Sequence, residues 1–277
     1  MLVIASAAVF SLSGVLTKMI ASDAWTIACW RGLIGGGLIA LYALLRRDGG
    51  SRPKLGWKGW LLASVGSAAS IAFIAAFKLT YVANVAIIYA TVPFAAAALE
   101  RLLLGARVRQ ATMIAAAASF LGVAVMVAGG LGTGHLLGDG VALLMTIGNA
   151  LYMVLIRAFH DSPVIWAGAA SAFQLFVVGW LVTDPLAVSA GDALLLTLFG
   201  AAFALALILW TEGTRLVPAA ESGLIGSAEV PLAVLFAWLI IAELPPQASL
   251  LGGAVVLAAV LGHAGRDYLR GAAAEQR

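Results

Sequence analysis

The sequence consists of long apolar runs separated by short polar breaks, and this pattern restricts the fold to a bundle of membrane-spanning helices. A helix needs about 20 apolar residues to cross the hydrocarbon core of a bilayer. Ten runs have about that length, and they are continuous rather than alternating, which excludes a transmembrane β-barrel. They cover residues 1–19, 24–45, 58–78, 81–102, 110–129, 138–158, 163–183, 193–214, 218–242 and 247–265.

The composition agrees with a membrane protein. Hydrophobic residues make up 63% of the 277 residues and charged residues only 10%, whereas soluble domains are about half apolar and about a quarter charged. No tract is long enough for a separate soluble domain, and no signal-peptide cleavage site follows the first run. Cys29 is the only cysteine, so no internal disulfide forms. The sequence therefore predicts an all-α membrane protein that depends on helix packing, with close contacts at small residues such as Gly32 and Gly36.

The basic residues indicate the orientation of the chain. The 16 Lys and Arg exceed the 13 Asp and Glu, but most of them fall in alternate loops, a bias typical of cytoplasmic loops rather than of nucleic-acid binding. Both termini are then cytoplasmic, and the number of spans is even. The predicted cytoplasmic set is Arg46, Arg47, Arg52, Lys54, Lys58, Arg101, Arg107, Arg109, Arg157, Arg215, Arg266, Arg270 and Arg277.

The two halves of the chain resemble each other. Pro93 and Pro231 lie at matching places in the fourth and ninth runs, 138 positions apart, and Lys18 and Arg157 end the first and sixth runs, 139 positions apart. These offsets predict a duplicated five-span unit, at residues 1–130 and 138–267. Because five is odd, the second copy is inverted. Inverted repeats with proline-interrupted spans are typical of secondary transporters, whose binding site lies at the midplane between the repeats.

Glu229 is the acid that most needs an explanation. It lies about eleven residues into the ninth run, where an ionised side chain costs about 3 kcal/mol. We expect it to line a polar cavity; a protonated or helix-paired structural acid is the alternative. Pro231 would free the carbonyl of Ser227 beside it. Glu221 is expected to pair with Arg215 or reach water, and Glu243 to be a solvated or cap-region residue at the helix end.

Other polar and aromatic residues within the runs are candidates for substrate binding or for the access path. A buried hydroxyl or amide needs a partner, which is either another helix or a ligand. Arg31, about seven residues below the predicted outer surface, either snorkels, which is favoured, or binds an anion. The substrate-binding candidates beside Glu229 and Ser227 are Phe10, Tyr89, Thr91, Asn149 and Tyr152, although packing is an alternative for the tyrosines. The access-path candidates are Lys78, Tyr81, Asn84 and Arg31, of which the first three form a polar cluster that is either a gate or an anchor.

Enzymatic motifs are absent from the sequence. It contains no H-E-x-x-H, G-x-S-x-G or Walker sequence. His135, His160 and His263 are far apart in the sequence, unlike a metal site, and Asp139, at the boundary of the sixth run, is assigned to the loop before it. We therefore expect no metal, no cofactor and no ATP-driven step. Transport would be passive or driven by an ion gradient, with protons as the candidate ion and Glu229 as their carrier.

The stretch VPAAESGLIGSAEVPLAVLFAWLIIAE resembles the repeat motif of the drug/metabolite transporter superfamily, EamA type, and WRGLIGG and FSLSGVLTK extend the likeness over both halves. The resemblance implies ten helices, as two inverted five-helix repeats around a central cavity, and efflux of small metabolites. The sequence is also similar to bacterial aromatic amino acid exporters. It departs from the family where Phe10 replaces a frequent tryptophan, and Gly105 in the first half matches Glu243 in the second.

These observations predict an inner-membrane secondary transporter that exports small metabolites by alternating access. Amino acids, aromatic ones first, are the favoured substrates; nucleosides and sugars are alternatives. A non-transporting membrane assembly subunit would share the same helix packing, and an intramembrane enzyme is disfavoured because no catalytic set is present. The expected partners are the substrate, the bilayer and, as a candidate, protons, with no nucleic acid and no obligate protein partner.

Overall fold

The computed structural model describes residues 1–45, 55–129, 134–216 and 225–275, which form twelve helices and no strand. The predicted all-α fold is therefore confirmed for these residues. Several residues singled out above lie outside the described ranges: Arg46, Arg47, Arg52, Lys54, Glu221 and Arg277. The helices are α1 (Leu2–Ser11), α2 (Ser13–Met19), α3 (Ala24–Leu45), α4 (Gly56–Leu79), α5 (Val82–Tyr89), α6 (Val92–Leu104), α7 (Gln110–Gly129), α8 (Leu136–Ala158), α9 (Val164–Val182), α10 (Ala190–Leu216), α11 (Glu229–Ile241) and α12 (Gln247–Glu275).

The helices account for the predicted spans. Within the described ranges, nine helical segments have the length and apolar composition needed to cross a membrane, and their ends lie within three residues of the predicted ones. The ninth predicted span contains α11, a shorter apolar helix. Its first residues fall in 217–224, which the structure does not describe. The chain is thus a multi-pass helical membrane protein.

Two spans are interrupted rather than continuous. The first divides into α1 and α2 at Leu12, where the Ser11 hydroxyl donates to the carbonyl of Ala8 at 2.8 Å. Serine hydroxyls that bond back to the preceding turn bend helices. The fourth span divides into α5 and α6, because Pro93 lies at the second position of α6 and has no N–H to continue the ladder of α5.

Contacts between the two halves come in matching pairs. The helix α4 packs against α8, and α10 packs against α1; similarly, α3 packs against α10, and α9 against α4. Contacts between α6 and α8 are matched by contacts between α11 and α1. In each pair, one contact becomes the other when every span is replaced by the span in the same place of the opposite half. Three further contacts join equivalent spans: α3 with α9, α5 with α11, and α7 with α12.

Glycines allow the closest of these approaches, as predicted for Gly32 and Gly36. A Cβ on Gly32 would lie 2.8 Å from the backbone nitrogen of Phe176 in α9, and one on Gly36 would lie 2.7 Å from the Cβ of Ala172. Neither distance is tolerable for carbon. The small residues of WRGLIGG therefore set the α3–α9 separation.

The bundle has two ends, because consecutive spans alternate in direction. We call them the Lys18 end, where α2, α4 and α11 terminate, and the Glu100 end, where α6 and α8 terminate. Large tryptophan side chains near both ends are exposed on the protein surface, as expected of anchors in the interfacial belts of a membrane. They are Trp57 (69% exposed), Trp60 (51%), Trp180 (48%) and Trp238 (51%).

Candidate functional site

A small cavity lies where three helix termini meet. Phe10 and Ser11, at the end of α1, Tyr89, at the end of α5, and Glu229, at the start of α11, line it together. Its remaining walls are apolar and are formed by Gly14, Phe73, Phe77, Ala86, Val230 and Ala233. The cavity is thus built from both halves of the chain at the positions where their spans are interrupted.

Among the described residues that line this cavity, Glu229 is the only acid. It is the first residue of α11, where the helix dipole favours a negative charge. Among the described residues, no group donates a hydrogen bond to its carboxylate or forms an ion pair with it. The cavity has a volume of about 20 Å³, which is room for a water molecule rather than an amino acid. The carboxylate therefore faces a small, largely aromatic chamber.

Ser227 lies just before this helix, in the turn that precedes Glu229. The expectation that Pro231 frees its carbonyl is wrong, because the Val230 N–H donates to that oxygen at 3.4 Å. The tight turn restores part of the hydrogen bonding that the proline removes.

Thr91 and Asn149 lie outside the cavity. The buried Thr91 hydroxyl donates to the carbonyl of Ile88 at 2.7 Å and closes the break between α5 and α6. The Asn149 side chain donates to the carbonyl of Met145 at 3.0 Å, within the uninterrupted α8. Both polar groups thus find backbone partners in their own span.

Tyr152 also lies away from the cavity lining. Its ring packs against Gly66 of α4, where a Cβ would lie 3.3 Å from the ring. Of the seven predicted binding residues, the cavity therefore brings together Phe10, Tyr89 and Glu229.

Asn84 belongs to a buried polar network at the Lys18 end. Its Nδ2 donates to Asp139 at 3.0 Å, its Oδ1 accepts from Ser249 at 2.6 Å, and Thr80 donates to Asp139 at 2.7 Å. Asp139 lies in the first turn of α8 and is fully buried, so its assignment to a loop is wrong. One of its carboxylate oxygens is buried without a hydrogen-bond partner in the described structure.

Lys78 and Tyr81 have separate partners. The Lys78 ammonium donates to the carbonyl of Ile20, and the Tyr81 ring lies 4.5 Å from the His135 ring. Together with Asn84, these residues were predicted to form one cluster. The three side chains instead take part in different contacts between helices at the Lys18 end.

Lys18 and Glu243 form an ion pair that joins α2 to the residues after α11. The second carboxylate oxygen of Glu243 accepts the N–H of Val82 at 2.5 Å, at the start of α5. Glu243 is only 11% exposed. Of the two expectations for Glu243, solvation is wrong, because its carboxylate binds two elements of the other half. The cap-region position is confirmed, since the Glu243 N–H donates to the carbonyl of Ala237 in the last turn of α11 at 3.1 Å.

A second ion pair crosses between the halves at the opposite end. Arg157, at the end of α8, donates to Glu100 in α6 at 2.6 Å. Lys18 and Arg157 occupy matching positions in the two halves. Both ion pairs therefore connect the end of a first span to the region where the opposite half's fourth span ends.

Arg31 is buried in a cage of phenylalanine rings, with only 3% of the residue exposed. Its Nη2 donates to the Ser70 hydroxyl at 2.6 Å. The centroids of Phe203, Phe199 and Phe73 lie 4.5, 5.6 and 6.0 Å from its Cζ. The snorkelling predicted for Arg31 is wrong, because the side chain extends into the bundle.

The cavity also contains residues that sequence reasoning did not select, above all Phe73, Phe77 and Ser11. Phe73 and Phe77 are four residues apart on α4, with ring centroids 4.8 Å apart. That spacing indicates one helix face, but it does not distinguish a cavity wall from ordinary packing.

These features define a multi-pass α-helical membrane protein with a cavity at its helix interruptions. Residues 1–128 match the EamA-like transporter family. The resemblance predicted from the sequence is confirmed over these residues. The search of curated proteins gives no match. A solved structure described as "Crystal structure of protein" is 20% identical, with a TM-score of 0.66 over 94% of this chain and 95% of that chain, and it supports the fold alone.

The match to this family indicates the activity in general terms. The EamA family consists of membrane transporters of small molecules rather than enzymes. The partners that follow are a small-molecule substrate and the membrane.

Proposed function

We propose that the protein is a secondary transporter that exports small metabolites by alternating access, with aromatic amino acids as its preferred substrates. The observation that carries the proposal is the cavity, in which Glu229 faces Phe10, Phe73 and Tyr89 at the junction of three helix termini. Discontinuous helices around a midplane site are a recurring design of secondary transporters. The carboxylate suits an ammonium group, and the rings suit an aromatic side chain.

The proposed mechanism requires two inverted five-helix units, residues 1–130 and 138–267, that rock against each other. The matched contacts between the halves support this organisation, since exchanging the units preserves three pairs of packing contacts. The small cavity corresponds to an occluded state, in which the substrate space forms only after the units move.

The two ion pairs are the proposed gates. Lys18–Glu243 holds the units together at one end, and Arg157–Glu100 holds them together at the other. Alternating access would break one pair while the other stays closed. With both termini cytoplasmic in a bacterial inner membrane, the Lys18 end faces outward and the Glu100 end faces the cytoplasm.

Counterflow with purified protein in liposomes tests the proposal. We expect labelled tryptophan and phenylalanine to exchange while glucose does not. Glu229→Gln should lower exchange about tenfold, because a hydrogen bond to a charged group contributes about 1.5–3 kcal/mol. Asp161→Asn is the matched control, since Asp161 is an exposed acid 3.2 Å from His160.

Other outcomes identify the alternatives. Exchange of nucleosides or sugars in place of amino acids would contradict the substrate class, and absence of any flux would favour a membrane assembly subunit. Proton coupling is tested by net flux with and without a pH gradient. A proton dependence that persists in Glu229→Gln would contradict a carrier role for this residue.

A further inference from the structure

Arg31 is a cation inside the bundle that lacks a carboxylate partner among the described residues. It lies seven residues after the start of α3, about 10 Å along the helix axis. Its Nη2 donates a hydrogen bond to the neutral Ser70 hydroxyl, and its guanidinium also contacts phenylalanine rings. A guanidinium has five N–H donors. A charged residue at such a position in a membrane protein indicates a functional site whose partner must be identified.

The surroundings of Arg31 favour an anion of a particular shape. Phe73, Phe199 and Phe203 hold the guanidinium by cation–π contacts, and they offer no acceptor to its N–H groups. A carboxylate binds the edge of a guanidinium through two parallel hydrogen bonds. The Arg31 guanidinium, with only the Ser70 hydroxyl bonded to it among the described residues, balances the single charge of a carboxylate better than the two charges of a phosphate dianion.

The cage adjoins the cavity that contains Glu229. Phe73 belongs to both, since its ring lines the cavity and its centroid lies 6.0 Å from the Arg31 Cζ. Phe203 packs edge-to-face on Phe10, another cavity residue, with 6.4 Å between ring centroids. The cage of Arg31 and the cavity lining thus share Phe73 and are in contact through Phe203 and Phe10.

We propose that Arg31 is the binding residue for the carboxylate of the transported molecule, with Glu229 as the binding residue for its ammonium. Resting on the proposed function, this inference narrows the substrates to zwitterionic amino acids that carry an aromatic or apolar side chain. The two charges of the site sum to zero, as do those of a zwitterion. Neutral sugars and nucleosides would leave Arg31 without a counter-charge.

The test separates the carboxylate from the rest of the ligand. The unfolding temperature of the purified protein is measured with phenylalanine, phenylacetate, phenethylamine and phenyl phosphate, because a ligand that binds the folded state stabilises it. We expect phenylalanine and phenylacetate to stabilise the wild type. Arg31→Gln should raise the Kd of phenylacetate at least about tenfold, and leave that of phenethylamine unchanged.

Lys58→Gln is the matched control, because Lys58 is also a cation over a phenylalanine, 5.4 Å from the Phe159 ring near the Glu100 end. The Lys58→Gln variant should bind phenylacetate with the same Kd as the wild type. Arg31→Lys retains the charge without the planar fork and should bind phenylacetate more weakly than the wild type. If Arg31→Gln does not fold, Arg31→Lys and the comparison of ligands on the wild type still test whether Arg31 binds the carboxylate.

Three results would overturn the carboxylate site. The first is that phenylacetate does not raise the unfolding temperature of the wild type. The second is that Arg31→Gln and Lys58→Gln bind phenylacetate equally well. The third is that phenyl phosphate stabilises the wild type more than phenylacetate does. Counterflow distinguishes this failure from failure of the proposed function. If no flux is measured but phenylacetate binding depends on Arg31, only the proposed transport is contradicted. If exchange occurs and Arg31→Gln leaves the ratio of phenylalanine exchange to phenethylamine exchange unchanged, only the carboxylate site is contradicted.

Discussion

Lys18 and Glu243 lie 225 residues apart in the sequence and form an ion pair between the two halves of the bundle. Their side chains are 23% and 11% exposed, so water screens the pair only in part. The carboxylate also accepts the N–H of Val82. This pair therefore connects the two halves at the Lys18 end through a charged contact and a backbone hydrogen bond.

Removing the charge of Glu243 should open the Lys18 end. We expect a cysteine that replaces Ser11 in the cavity lining to be modified faster in Glu243→Gln, because the ion pair between the halves is lost. The measurement is the rate at which an impermeant maleimide labels Ser11→Cys in a Cys29→Ser background. A Lys18→Glu, Glu243→Lys exchange should restore the slow rate in part, because it rebuilds the ion pair but not the acceptor for the Val82 N–H. Equal rates in all variants would contradict a gate.

Breaking the counterpart pair should have a smaller effect, and at the other end. Arg157 is 72% exposed, and exposed ion pairs contribute about 0–1 kcal/mol. We expect Glu100→Gln to increase cysteine labelling from the Glu100 side less than Glu243→Gln increases it from the Lys18 side. Inside-out and right-side-out vesicles allow the two labelling rates to be compared. A larger effect of Glu100→Gln than of Glu243→Gln would contradict the prediction that the Lys18–Glu243 pair is the stronger one.

Asp23 should stabilise the start of α3 in a pH-dependent way. Its carboxylate accepts the N–H groups of Trp25 and Thr26 at 2.8 and 3.1 Å and the Thr26 hydroxyl at 2.6 Å. Partial burial raises the pKa of Asp23, but these hydrogen bonds outweigh it and hold the pKa below the ordinary value of 3.8. The charged form therefore contributes stability above pH 3.8, which is lost as the pH falls through the lower folded-state pKa.

The corresponding measurement is thermal unfolding of Asp23→Ala and wild type between pH 2.5 and pH 7. Loss of the helix cap should cost about 1 kcal/mol at pH 7, and the difference should shrink at the acid end. Asp23→Asn retains a capping oxygen and should fall between the two proteins. A difference independent of pH would contradict the role of the charge.

Gly32 should be sensitive to a single added methyl group, and Gly37 on the same helix should not. A Cβ at Gly32 would collide with the α9 backbone, including the Phe176 nitrogen at 2.8 Å, whereas nothing lies within 4 Å of a Cβ at Gly37. We expect Gly32→Ala to lose about 1–3 kcal/mol through overpacking. Gly37→Ala should gain up to about 1 kcal/mol from helix propensity. Thermal unfolding in detergent measures both, and equal effects would contradict the packing argument.

The spans were predictable because each is a local property of the sequence. About twenty consecutive apolar residues specify a crossing wherever the neighbours lie, and the predicted helix ends agree closely with those observed. The interruption near Pro93 was also predictable, since proline acts on its own helix. The break at Leu12 carries no such marker, and only the Ser11 hydroxyl indicates it.

The partners of the buried charges were not predictable, because they depend on distant residues. Arg31 finds Phe199 and Phe203 on α10, and Asp139 finds Thr80 and Asn84 some 55 to 59 residues earlier. A single sequence contains no distance information of that kind. The expectations of a snorkelling arginine and a loop aspartate were reasonable for isolated helices, and packing overturned both.

The first span consists of two short helices, whereas its counterpart α8 is one unbroken rod. The units that meet at the cavity therefore differ in stiffness. In the proposed alternating-access cycle, opening toward one side of the membrane would bend the first span about Leu12, whereas opening toward the other would tilt a rigid helix. We therefore expect the two open forms to differ in free energy, and the unloaded protein to favour one of them.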